Sequence, residues 1–264
     1  MMKRALFLFA IATAIPVGSF GQFGPPPPPP KVAKEAAPID LTGNWVSVVT
    51  EDYRWRMVTP LKGDAASIPY KADARKVIDA WDPAKDQAGG LQCKAYAAPA
   101  VMRIPGRLRI SWQDDSTLKI ETDAGTQTRV FHFPPPGGQI QVPANTQASW
   151  QGYSIAKWES PVTPPIGGLP LGESARFGAR SRSLEVVTTN LREGYLRKNG
   201  VPFSDKATLT EYYDRYDEPN GDQWFTVTTI VNDPVYLVTP FVTTTDFKKE
   251  ANGSKFSPTP CSVK

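Results

Sequence analysis

Period-two alternation of apolar and polar residues runs through most of this chain, and it restricts the fold to one built of strands. In Arg107-Leu108-Arg109-Ile110-Ser111-Trp112, the apolar Leu108, Ile110 and Trp112 fall on one face, with Arg107, Arg109 and Ser111 on the other. Successive side chains of a strand point to opposite faces, so this is the pattern of a half-buried strand. After the turn Asp114-Asp115-Ser116 the alternation returns over 117–122, which predicts a hairpin. Further runs lie at 45–50, 54–59, 126–133, 153–159, 184–190, 208–217, 223–231 and 241–249. Turns such as Glu218-Pro219-Asn220-Gly221 join successive runs and favour antiparallel neighbours. The fold class expected is mainly β, an antiparallel barrel or sandwich of about ten strands.

One segment breaks the rule of two. Over 72–81, Ala74, Val77, Ile78 and Trp81 recur at the spacing of a single helical stripe, and Asp82-Pro83 stops it. This short amphipathic helix is expected to cap an open end or pack outside the sheet. Two Pro- and Gly-rich stretches, 134–147 and 160–183, read as long surface loops.

The N-terminus has the three parts of a secretory signal peptide: Lys3 and Arg4, an apolar stretch from Ala5 to Val17, and small residues Ser19 and Gly21 before a cut at Gln22. The stretch is shorter than the roughly 20 apolar residues that cross a bilayer, so no stable membrane insertion is expected after cleavage. The prolines from Pro25 to Pro30 then hold an extended, stiff segment. The expected organisation is a signal peptide at 1–21, a proline-rich disordered spacer at 22–38 and one antiparallel β domain at 39–264, in a protein that is periplasmic or secreted.

Export gives meaning to the two cysteines, Cys93 and Cys261. In an oxidising compartment an even count suggests a disulfide, and two can pair in only one way. Such a bond would tie the last strand back to the start of the main sheet, where an open barrel frays. The cysteines have no C-x-x-C spacing and His132 is the single histidine, so neither a metal site nor a metal cofactor is expected. A formal net charge of +4, spread along the strands, gives nucleic-acid binding little support.

Two resemblances follow from these residues. Gly43-Asn44-Trp45 resembles the G-x-W opening of lipocalin-type barrels, which implies a first strand whose tryptophan closes the barrel floor. From about Asp73 to Cys261 the chain resembles a group of uncharacterised exported bacterial β proteins. The similarity is carried by Ala80-Trp81-Asp82-Pro83, Cys93, Arg103, Arg129, the run Gly152 through Glu159, Glu211-Tyr212-Tyr213 and Asp233-Pro234. It departs between Glu159 and Leu184, where a Pro/Gly-rich insertion stands in place of the group's tight turn. The resemblance implies fold, export and the cysteine pair, and no chemistry.

Catalytic templates find few residues to occupy them. Gly152-Tyr153-Ser154-Ile155-Ala156 is close to G-x-S-x-G but leads into a strand rather than a helix, so the nucleophile-elbow context is missing. What remains is carboxylate, tyrosine and arginine. Glu211, Tyr213 and Arg215 share one strand face, and Tyr212, Asp214 and Tyr216 the other. Glu211, Tyr213 and Arg129 are the weak catalytic candidates. Arg103, Trp112, Arg129, Tyr153, Trp158, Glu211 and Arg215 are the residues expected to bind a ligand, and Trp45 and Trp224 are further aromatics that would line a cavity or fill a core. The reading favoured is a lipocalin-like binder of a small, partly apolar ligand. A metal-independent barrel enzyme of isomerase, cyclase or hydratase type and a structural envelope protein are its rivals.

Overall fold

The alternation at 208–217 becomes a strand in which Leu209, Glu211 and Tyr213 are buried and the residues between them are not. The structure, a computed structural model, describes residues 31–159 and 183–263. The signal peptide expected at 1–21, most of the proline-rich spacer and nearly all of the loop at 160–183 lie outside the described residues.

Among the described residues the strands are β1 (Gly43–Val48), β2 (Arg107–Asp114), β3 (Thr117–Thr122), β4 (Gln127–His132), β5 (Tyr153–Trp158), β6 (Leu184–Thr189), β7 (Gly194–Arg197), β8 (Val201–Phe203), β9 (Thr208–Asp217), β10 (Gln223–Asn232) and β11 (Phe241–Glu250). Nine of them close into a barrel in the order β1-β11-β10-β9-β6-β5-β4-β3-β2, and β7 pairs with β8 in a separate hairpin. Closure is made by β1, which pairs with β11 through Asn44↔Glu250 to Val48↔Asp246 and with β2 through Gly43↔Ile110 to Val46↔Arg107.

The expectation of a wholly antiparallel sheet is corrected at one seam. Strands that alternate in direction around a closed ring must be even in number, so a ring of nine carries a parallel pair. Here it is β4 with β5, joined only at Phe131↔Ser154 and His132↔Ile155. The connection through 134–152, predicted as a long loop over most of its length, runs back along the barrel instead of turning tightly.

The expected strand at 54–59 is also corrected. Its start forms a single helical turn, α1 (Tyr53–Arg56), after Asp52 in a left-handed conformation. Both edges of β1 are already taken by β2 and β11, so no edge is left for it to extend. Its pattern is inverted as well: Arg56 is buried, whereas Met57 and Val58 are exposed.

Three further helices, α2 (Ala72–Ala80), α3 (Pro83–Ala88) and α4 (Ala98–Val101), follow in the β1–β2 connection, with a 3₁₀ turn at Gln92–Tyr96. The predicted stripe holds for α2, where Ala74 and Ile78 are buried. Asp82 caps α3 by accepting from the Ala84 amide at 2.9 Å. These elements meet the β7–β8 hairpin over one end of the barrel. Ile78, Leu196, Phe203, Leu209, Val231 and Phe241 belong to the core beneath this cap. The β7–β8 turn passes tightly under it, since a Cβ on Gly200 (φ +82°) would lie 2.1 Å from the ring of Trp81.

The opposite end is closed by residues 31–42. Ala33 and Leu41 join the barrel core, and the Trp158 indole donates to the Ala33 carbonyl at 2.8 Å. The last residues assigned to the spacer are therefore part of the domain.

Cys93 and Cys261 form the expected disulfide, with Cα atoms 5.1 Å apart. Its place is different from that expected. β11 ends at Glu250, and the bond ties the tail beyond it to the 3₁₀ turn of the cap rather than tying a strand to the sheet. The barrel closes through β1 instead. The tail is seated by the Thr259 amide on the Asp123 carbonyl (2.8 Å) and the Ser262 amide on the Tyr96 hydroxyl (3.2 Å). A crosslink over a sequence separation of 168 restricts the unfolded chain strongly. Cys93→Ser is expected to lower the unfolding free energy by about 2–5 kcal/mol while leaving the far-ultraviolet circular dichroism of the barrel intact. Urea unfolding followed by that signal tests this, and an unchanged midpoint would show that the bond constrains nothing.

Candidate functional site

Arginine is abundant in the structure's interior, and the partners of each arginine separate two sites. The first is the centre of the barrel. Leu209, Glu211 and Tyr213 point inward from β9, so the Glu-Tyr-Arg face is the inner one. Arg129 reaches Glu211 from β4 in a two-pronged ion pair, Nη1 to Oε1 at 2.8 Å and Nη2 to Oε2 at 2.6 Å, with both side chains fully buried. The same Nη2 donates to Thr188 Oγ1 on β6 at 3.3 Å, and that hydroxyl is 2.7 Å from Ser154 Oγ on β5. The Tyr213 hydroxyl makes a longer contact of 3.4 Å to Glu211.

Burial alone would depress the Arg129 guanidinium, but the adjoining Glu211 and Tyr213 hold its pKa above the ordinary value. Burial, and then Glu211, push the Tyr213 phenol well above its usual range, so it stays a neutral hydroxyl. Around this network pack Trp45, Phe131, Phe225 and Phe247, each 1% exposed or less. Trp45 and Phe225 meet edge to face at 4.7 Å, and Phe225 stacks on Phe247 at 4.8 Å. The catalytic candidates Glu211, Tyr213 and Arg129 are thus brought together, but in a packed interior away from solvent.

The other expected ligand residues are scattered. Trp112, Trp158 and Phe133 cluster at the end closed by residues 31–42, with Trp158 and Phe133 rings 5.3 Å apart. Trp112 and Arg215 line a cavity there of about 490 Å³ together with Lys34, Ile39 and Asp40. Tyr153 lies on the outer face, stacked on His132 at 4.6 Å, and partial burial lowers the His132 pKa. Trp224 is on the outer face too, with the Lys248 ammonium over its ring.

The second site is a cleft of about 690 Å³ between the cap and the barrel end. Of the sequence-predicted ligand residues only Arg103 lines it. Its walls include Trp55, Trp81, Tyr96 and Leu196, with Met57 and Val58 at 46% and 65% exposure. Val263 of the C-terminal tail also reaches it. Two more arginines line the cleft: Arg56, whose Nε donates to the Arg103 carbonyl at 2.9 Å, and Arg197, whose Nη1 donates to the Ala66 carbonyl at 2.7 Å. The Arg197 guanidinium sits over the Trp55 ring at 4.5 Å. Arg56 and Arg197 were not singled out by sequence reasoning. They come from α1 and β7, far apart in the chain, and the one local signal was the unusual run Arg54-Trp55-Arg56.

A scan of family models and searches of curated proteins and of solved structures found no match to this chain. Among the described residues no group of three or more His, Cys, Asp or Glu side chains is placed to hold a metal ion. No helix among them is long and apolar enough to cross a membrane.

Removing one member of the central pair strands a buried charge. Glu211→Gln is expected to destabilise by about 3–5 kcal/mol, whereas Arg129→Met with Glu211→Leu recovers most of that loss. Urea midpoints of the single and double variants measure the difference. If Glu211→Gln proved as stable as the parent, the pair would hold nothing together.

Proposed function

We propose that the protein is an exported binder of a small, partly apolar molecule, and that its binding site is the cleft under the cap rather than the barrel interior. One contrast supports this reading. The interior carries large buried side chains from strands around the ring, while the cleft is an open concavity walled by aromatic residues. Its volume of about 690 Å³ falls in the range of roughly 300–1,000 Å³ usual for small-molecule sites. Exposed Met57 and Val58 at its edge supply apolar surface that a bound molecule would cover. The Cys93–Cys261 bond suits an oxidising compartment, which agrees with the N-terminal signal read from the sequence and with a periplasmic or secreted location. In this reading the barrel is the rigid support and the cap presents the site.

The test uses Nile red, a neutral dye that brightens in apolar surroundings. It is expected to bind the disulfide-intact chain, and exchanging Met57→Gln and Val58→Asn together is expected to weaken binding about tenfold, the effect of losing apolar contact worth ~1.4 kcal/mol. Both positions are exposed, so the unfolding midpoint should not move. Equal binding by parent and variant would place the dye elsewhere and overturn the assignment.

A further inference from the structure

Three buried guanidinium groups line the cleft, and each has at least one nitrogen without a hydrogen-bond partner among the described residues. Arg56, Arg103 and Arg197 are 8%, 5% and 4% exposed. Each is anchored by one bond: the two to carbonyls described above, and Arg103 Nη2 to Asp52 Oδ2 at 2.5 Å. Arg56 Nη1 and Nη2, Arg103 Nη1, and Arg197 Nε and Nη2 are buried and have no hydrogen-bond partner among the described residues. Native interiors leave few polar atoms unpaired, and charged donors least of all.

The surrounding carboxylates are committed elsewhere. Asp52 is taken by Arg103, and Asp64 accepts from Arg54 (2.5 Å) and from the Trp55 indole (3.1 Å). Glu51 accepts from the Thr244 amide, and Asp246 from the hydroxyls of Thr50 and Thr226. Neither Arg56 nor Arg197 has a carboxylate within ion-pair distance among the described residues, so the attraction of Asp52, Asp64, Glu51 and Asp246 offsets the repulsion within the trio only in part. Burial and the neighbouring Arg103 hold the Arg197 pKa down to about 10, and the same two causes lower that of Arg56.

A group that fits such a lining is an oxyanion. Guanidinium forks match carboxylate and phosphate oxygens in geometry and charge. The aromatic walls fit a flat body attached to that head. We propose that the cleft takes a small organic anion, a carboxylate or phosphate monoester on a flat apolar body, with its head group on Arg56, Arg103 and Arg197 and its body against Trp55 and Tyr96. This rests on the reading of the cleft as a small-molecule site and adds the charge of the molecule.

The experiment titrates the full, disulfide-intact chain with 1-naphthoate, 1-naphthyl phosphate and the neutral 1-naphthamide, by calorimetry. At least one anion is expected to bind about tenfold or more tightly than the amide, with the gap narrowing as salt is raised. The stronger of the two anions identifies the head group. Arg197→Gln is expected to bring anion and amide to within about twofold of each other, and an undiminished preference for the anion in the folded variant would overturn the assignment. Should that variant fail to fold, inorganic phosphate serves with the parent protein, and it should displace the anion but not the amide. Equal binding of all three probes would overturn the anion assignment and keep the cleft, its buried donors then being satisfied by water. Failure of all three probes and of Nile red would overturn both readings.

Discussion

The barrel depends on how it holds its parallel seam. A closed ring of nine strands needs one parallel contact, and β4 meets β5 there through only two residue pairs. Every other neighbour in the ring is antiparallel, with a longer ladder. The Arg129–Glu211 pair crosses this seam from inside. Arg129 stands on β4, Ser154 on β5, Thr188 on β6 and Glu211 on β9, consecutive positions in the ring. Side-chain bonds thus join four strands where backbone bonds are scarce. Burying both charges is costly, and two-pronged geometry with hydroxyl support is the condition under which such a pair is tolerated. Its clearest benefit is register, because a slipped β4 would leave Glu211 without its cation.

Filling and plugging follow from the same arrangement. With Arg129 and Glu211 at the centre, the aromatics Trp45, Phe131, Tyr213 and Phe225 exclude water around them, which strengthens the pair. Residues 31–42 shut one end, and the helices with the β7–β8 hairpin shut the other. Concave surface is then found at the barrel's two ends, about 490 Å³ beside residues 31–42 and about 690 Å³ at the cap. The cap provides the latter because its elements are short and irregular, and do not tile the barrel end as a sheet would. The disulfide acts on this cap, keeping the tail with Val263 against the wall of the cleft.

Period two was enough to read the strands of the barrel, because each has one face in the core and one toward solvent. The helix α2 was legible for the corresponding reason at period 3.6. The segment at 54–59 misled because alternation records spacing and not direction: Arg56 points in, and the apolar Met57 and Val58 point out. The hairpin of β7 and β8 passed unread, since Val201, Pro202 and Phe203 are all buried and show no alternation. Strand parity was hidden too. A parallel pair leaves no local mark in β4 or β5, and is required only once the ring is known to close with nine. The central pair was partly legible, as Glu211 and Tyr213 share a face and Arg129 was among the candidates. Of the cleft trio only Arg103 was among the candidates, because the three assemble from α1, the segment after α4 and β7, and only the cap brings these together.

The two arginine sites put the same chemistry to opposite ends. Arg129 makes three bonds, to a carboxylate and a hydroxyl, and leaves only its Nε unpaired. Arg56 and Arg197, similarly sheltered from solvent, each make one bond to a backbone carbonyl and leave two nitrogens bare. A need for packing or rigidity alone does not account for that difference. An apolar side chain of similar length would fill the space without the desolvation cost of a guanidinium. At the barrel centre the cost is offset within the fold by Glu211. At the cleft Asp52 pairs with Arg103, but Arg56 and Arg197 have no carboxylate within ion-pair distance among the described residues, and the anion proposed for the cleft would supply that offset. Unpaired buried charge is tolerable where a rigid support stops the groups from drifting apart, and the closed, filled barrel beneath the cap is such a support.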